Sequence, residues 1–291
     1  MGASADAGAP EPLNRSRTGA DRSFLLRTLS AVLFLPLLLY LIQLGSWPLL
    51  LLVFLIAVLG SLEWEGLLRA AGLRPVPGWT TVCALAFLGG SLAGDGGRWL
   101  GLLSFLLVGG FVLELAGRSG RVVERLGATL LGGAYAGLLP SFLHHMRHLE
   151  GGAGPAAAYL AFLAVWGCDT VAYSAGRLWG KRPLWPRVSP AKTWEGAIAG
   201  AVGAVLLCLA GRAWFAGFLT PGEAAVFGGI AGVAAQVGDL AESALKRDAG
   251  VKDTSAIIPG HGGVLDRFDS LFFSLPILYA YLLLLHENGR F

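Results

Sequence analysis

Trp47-Pro-Leu-Leu-Leu-Leu-Val-Phe-Leu-Ile-Ala-Val-Leu-Gly60 carries no charge, and the same texture continues to Leu62. Such a stretch approaches the ~20 apolar residues a helix needs to cross the hydrocarbon core of a bilayer. Working outward from it, comparable apolar segments run over 24–45, 47–68, 77–94, 98–116, 123–143, 156–178, 195–216, 221–244 and 268–286. Helices are the expected form, because open strands would leave backbone donors and acceptors unpaired in lipid. The pattern predicts an all-α polytopic membrane protein of about nine transmembrane helices, embedded in a lipid bilayer.

Composition agrees. Hydrophobic residues make up 55% of the chain and charged residues only 14%, with a mean hydropathy of +0.64. An ordinary soluble domain is about 25% charged. The 43 glycines follow no collagen-like period. Gly196 and Gly200 instead stand four apart, a spacing that lets membrane helices approach closely. Cys83, Cys168 and Cys208 lie in apolar segments with no CxxC spacing, which argues against a disulfide or zinc framework. A net charge of +3 is too small to suggest nucleic acid as a partner. Residues 1–23 have no apolar periodicity and are expected to be a disordered tail. Residues 24–291 then form one polytopic membrane domain. Its first apolar run has no small-residue cleavage site and is expected to be retained.

Charge tests the topology. With nine spans, all of the 22 Lys and Arg except Arg98, Arg147, Arg212 and Arg290 fall on the side of the N-terminus. The positive-inside rule makes that side cytoplasmic. Two polar stretches, Asp169 to Glu195 and Asp239 to Asp269, interrupt the hydrophobic pattern. Two helices separate their loops, so both are expected on the cytoplasmic face, building a single site there.

The second stretch carries Asp239, Glu242 and Ser243 at the end of one helix, then Lys246, Arg247, Lys252 and Asp253. It closes on Gly260-His261-Gly262-Gly263 and a helix start with Asp266, Arg267 and Asp269. Asp266 and Asp269 are three apart and share a helix face. Carboxylates at a membrane helix end are costly unless paired, hydrated or bound to a cation. Hard oxygen ligands suit Mg²⁺, which makes Asp239, Asp266 and Asp269 candidate metal ligands. The glycines allow a tight turn whose N–H groups approach phosphate beside a helix N-terminus. The plainer alternative is that Asp266 and Asp269 cap the helix and pair with Arg267 and Lys252, leaving Asp239 without a role.

In the first stretch, Ser189 and Pro190 are expected to start a helix, with Glu195 in its first turn. Arg177, Lys181, Arg182 and Trp185 suit either an interfacial belt or an anion site. No Walker-type run supports a P-loop. His144, His145, His148 and Glu150 have ligand-like spacing but are expected in a wet turn on the opposite side. Glu63, Glu65 and Glu114 are expected to be ordinary solvated or paired carboxylates near helix ends.

The run Ser243-Ala-Leu-Lys-Arg, then Lys252-Asp253, then Pro259-Gly-His-Gly-Gly-Val-Leu-Asp-Arg-Phe-Asp269 resembles the signature of the phosphatidate cytidylyltransferase (CDP-diacylglycerol synthase) family. Ser189-Pro-Ala-Lys-Thr-Trp-Glu-Gly196 is similar to a second family segment, and Asp169 and Tyr173 match it too. The resemblance implies transfer of CMP from CTP to phosphatidic acid at the cytoplasmic face of a bacterial-type inner membrane. It implies Mg²⁺, a homodimer, and catalytic roles for Asp239, Ser243, Lys246, Arg247, Lys252, Asp253, His261, Asp266, Arg267 and Asp269. Asp169, Tyr173, Arg177, Lys181, Ser189, Lys192, Thr193, Gly262 and Gly263 would bind substrate. Whether a second cation joins Mg²⁺ stays open. Rival readings are another CTP-using lipid transferase, such as a CDP-archaeol synthase or polyprenol kinase, and a cation transporter. Acids clustered at one interface without a repeat argue against the transporter.

Overall fold

A computed structural model describes residues 34–94, 96–117, 120–255 and 262–290. The expected tail 1–23, the start of the first apolar segment and His261 lie outside the described residues. The helices are α1 Phe34–Leu44, α2 Ser46–Ala70, α3 Trp79–Ala93, α4 Gly96–Gly117 and α5 Val122–Arg147. Then follow α6 Gly154–Trp179, α7 Trp194–Trp214, α8 Pro221–Asp248 and α9 Leu265–Glu287. Each coincides with an apolar segment of the sequence. Among the described residues seven helices are long and apolar enough to cross a membrane. Two shorter apolar helices, α1 and α3, accompany them among the described residues. At ~1.5 Å rise per residue, the 15 residues of α3 span only about 22 Å.

Local chemistry sets the helix starts. Thr220 accepts from the Glu223 N–H while the Glu223 carboxylate accepts from the Thr220 N–H, and Pro221 takes the first turn of α8. Thr193 caps α7 by accepting from the Gly196 N–H at 3.2 Å. Ser189 and Pro190 do not start that helix. They belong to β2, Ser189–Thr193, which pairs antiparallel with β1, Pro183–Trp185, in the only sheet among the described residues. A β-branched Thr in extended backbone, with its hydroxyl free to cap, moves the helix start four residues on.

Helices α6 to α9 pack as consecutive neighbours, and α6 also reaches α8 and α9. Small residues make this possible, as the spacing of Gly196 and Gly200 suggests. A Cβ on Gly196 would stand 2.7 Å from the Ala172 carbonyl, and one on Gly200 2.8 Å from the Ala172 methyl. Close backbone approach of this kind drives helix association in lipid, where apolar burial alone gives little. The outer faces stay apolar: Leu100, Phe105, Val108, Val112 and Leu115 of α4 are all exposed. Within α5, Ala134–Leu138 forms a π-turn that carries the buried Tyr135.

Candidate active site

The C-terminal ends of α6 and α8 and the N-terminal ends of α7 and α9 lie together, with the β1–β2 hairpin between α6 and α7. Two contacts join the polar stretches there. Lys192 on β2 ion-pairs with Asp239 on α8, and Arg247 Nε donates to the Val188 carbonyl at 3.3 Å. The hairpin is folded back by Glu195, whose Oε2 accepts from the N–H groups of Lys181 and Arg182 at 3.1 and 3.2 Å.

Between α6, α7, α8 and the hairpin lies a cleft of about 410 Å³. Asp169, Tyr173, Arg177, Lys192 and Thr193 line it together with Gln236 and Asp239. The acids sit on helices rather than in loops, because α6 and α8 continue ten and nine residues beyond Asp169 and Asp239. Asp169, Asp239 and Asp269 are within electrostatic reach of one another, and Ser270 is close to Asp169. Beyond its ion pair, Lys192 makes no hydrogen bond among the described residues, so its ammonium can serve a further anion.

A second group adjoins the first. Lys246 Nζ lies 2.5 Å from Glu242 on its own helix and 2.7 Å from Asp266 on α9. Asp266 Oδ2 also accepts from the Thr254 hydroxyl at 2.8 Å and from the Gly263 and Thr254 N–H groups at 2.8 and 3.0 Å. Ser243 lies 3.4 Å from Asp239. Gly262 has φ +80°, and a Cβ on Gly263 would stand 2.0 Å from Thr254 Oγ1, so both positions need glycine. Lys252, Asp253 and Arg267 are exposed, and neither they nor Lys181 and Ser189 line the cleft.

The expected ligand trio Asp239, Asp266 and Asp269 is not gathered at one point. Among the described residues no three His, Cys, Asp or Glu side chains form a ready-made metal shell. Asp266 is engaged by Lys246, Thr254 and Gly263 instead. The donor chemistry is nevertheless of the kind a hard cation takes, since Asp169, Asp239 and Asp269 are within electrostatic reach of one another and Lys192 ion-pairs with Asp239.

The cytidylyltransferase family model matches residues 25–285. This chain belongs to the cytidylyltransferase family. Membership covers every element of the cleft and makes the chain an enzyme of the nucleotidyltransferase class. Its relatives include phosphatidate cytidylyltransferases from Synechocystis, 32% identical over 89% of this chain and 96% of the relative, and from Staphylococcus epidermidis, 34% identical over 87% and 96%. Phosphatidate cytidylyltransferase 4, chloroplastic, of Arabidopsis thaliana is 31% identical over 82% of this chain and 68% of its own length.

Some residues in this cytidylyltransferase were undervalued by their local sequence. Glu63, Glu65 and Glu114 are 3%, 2% and 4% exposed, so of the two expected forms the paired one holds for Glu65 and Glu114 and the solvated one for none. Glu65 pairs with Arg69 and Glu114 with Arg125, whereas Glu63 reaches the N-terminus of α9. Glu242 is buried with Oε1 unpartnered among the described residues, as is the Tyr135 hydroxyl nearby. Position next to Ser243 hinted at Glu242; nothing local marked Tyr135. His144 and His145 belong to the end of α5 rather than to a wet turn, with His145 hydrogen-bonded to Ser91 at 2.7 Å.

Proposed function

We propose that this enzyme transfers CMP from CTP to phosphatidic acid, giving CDP-diacylglycerol and pyrophosphate, at the cytoplasmic face of a bacterial-type inner membrane. The observation that carries this reading is the cleft in which Arg177 and Lys192 stand beside Asp169 and Asp239 at the end of a membrane bundle. A lipid acceptor can reach such a site from the bilayer and a nucleotide from water.

A phosphatidate oxygen attacks the α-phosphorus of CTP, and the bond to the pyrophosphate oxygen breaks. The nucleophile is already an anion, so no strong base is required. The obstacle is bringing two polyanions together, and the chain's cations address it. Lys192 and Arg177 attract phosphate oxygens in the cleft, and the exposed Arg247, Lys252 and Arg267 add positive potential that favours anions nearby. Asp239 and Asp269, with Asp169, would hold Mg²⁺, which when bound neutralises phosphate charge. Lys246 keeps Asp266 and Glu242 fixed behind that group.

The distribution of Lys and Arg supports the cytoplasmic orientation. The family likeness extends the proposal to a homodimer, which crosslinking in membranes would test. The decisive assay is pyrophosphate release by detergent-purified protein given CTP, phosphatidic acid and Mg²⁺, with EDTA and ATP controls. Release requiring both substrates and metal, with CDP-diacylglycerol formed in step, is expected; no release from folded protein would refute the reading.

A further inference from the structure

Glu63, on α2, belongs to neither polar stretch, yet its carboxylate ends at the base of both the α9 start and the segment before it. Oε1 accepts from the Ser255 hydroxyl at 2.7 Å and the Val264 N–H at 2.8 Å. Oε2 accepts from the Leu265 N–H at 2.9 Å and lies 3.2 Å from the Thr254 hydroxyl. The single Thr254 proton is shared with Asp266 Oδ2, at the shorter 2.8 Å. Helix α9 has no side-chain cap of its own at Val264. A carboxylate from another helix takes that place, satisfying N–H groups that a helix start leaves orphaned and favouring the positive end of the dipole.

The packing admits little else. A Cβ on Gly263 would stand 2.4 Å from Glu63 Oε2. Every donor around the carboxylate points inward, so both oxygens must be acceptors. A glutamine would turn one of them into an NH₂ facing two donors. An aspartate would keep the charge but sit one methylene too far away. A residue needed only to fill space on α2 has no reason to meet these requirements.

We propose that Glu63 is a positioning residue for the transfer reaction, acting through Thr254 and the first N–H groups of α9 to hold Asp266 and Asp269 in register with Asp239. The proposal rests on the nucleotidyl-transfer reading above. Glu65 supplies the control: it is equally buried on the same helix but bonds Arg69 and the Gly78 N–H, away from α9.

The test compares wild type, Glu63→Gln, Glu63→Asp and Glu65→Gln in turnover, in the Mg²⁺ concentration giving half-maximal rate, in thermal unfolding, and in backbone hydrogen exchange over residues 262–268. Glu63→Gln is expected to lose about tenfold or more in turnover, need more Mg²⁺, and exchange faster over 262–268. Glu63→Asp is expected to recover part of each, and Glu65→Gln to keep turnover within about twofold of wild type. Wild-type turnover in Glu63→Gln overturns the proposal. So does a loss matched by Glu65→Gln and proportional to lost folded protein. If Glu63→Gln cannot be purified, Thr254→Val and Ser255→Ala remove the donors from the other side, and unchanged turnover in both overturns it. If wild type itself releases no pyrophosphate, the reaction reading fails, and local exchange alone decides whether Glu63 holds the α9 start.

Discussion

Lys246 on α8 and Asp266 on α9 meet with Nζ 2.7 Å from Oδ1, and the same ammonium reaches Glu242 one turn earlier. The two carboxylates are 2% and 8% exposed, so one cation compensates two acids that water scarcely reaches. Removing one partner of a buried ion pair typically costs ~3–5 kcal/mol, because the partner stays charged and alone. Lys246→Met is therefore expected to lower stability by about that amount. Glu242→Gln should cost less, since Lys246 and Asp266 remain paired. Thermal unfolding of both variants in one detergent checks the order.

Asp266→Asn should separate activity from folding. Lys246 keeps Glu242 as a partner, so no buried charge is left alone. The amide, however, must turn its NH₂ either toward Lys246 or toward Thr254 and Gly263, and both sides present only donors to Asp266. The turn before α9 is expected to shift, and turnover to fall on the order of 100-fold, with a monodisperse gel-filtration profile retained. Near-normal turnover would remove Asp266 from the site.

Lys192 and Asp239 join the two polar stretches, and their coupling can be measured. Lys192→Ala removes a phosphate partner and leaves Asp239 without its ion pair, so KM for CTP should rise and turnover fall, each by about tenfold. Asp239→Asn should nearly abolish turnover. Because the two act on one cleft, the double variant is expected to be no worse than Asp239→Asn alone. Additive losses in a kinetic double-mutant cycle would mean that the residues work independently.

Helix positions were legible because each apolar segment is locally written, and the sidedness of the two polar stretches followed from counting helices between them. The signature residues were also visible, and the structure brings Asp169, Lys192, Thr193 and Asp239 into one cleft. What failed needed partners distant in sequence. Thr193 rather than Ser189 caps α7 because β1 captures the intervening residues into a hairpin. Glu63 reads as an ordinary helix-end acid until α9 is folded against α2, some two hundred residues away in the chain. Asp266 looks interchangeable with Asp269 as a ligand until Lys246 and Thr254 claim its oxygens. Spacing gives a shared helix face, but not which neighbour occupies it.

Gly238, immediately before Asp239, tests whether close helix approach sets the site rather than merely the fold. A Cβ there would lie 2.8 Å from the Asp269 carbonyl oxygen and 3.0 Å from Phe273 Cβ. Neither neighbour is the flexible end of a side chain, so α8 and α9 must separate. Overpacking of this kind typically costs ~1–3 kcal/mol, which a folded bundle can survive. The displacement falls between Asp239 and Asp269, so Gly238→Ala should lose turnover well beyond what its stability change explains. Gly229 on the same helix has nothing within 4 Å of a built Cβ. Gly229→Ala should be stabilising by up to about 1 kcal/mol through helix propensity, with turnover unchanged. Pyrophosphate release and thermal unfolding of the two variants side by side check this. Equal turnover in both would show that the α8–α9 spacing is not what aligns the acids.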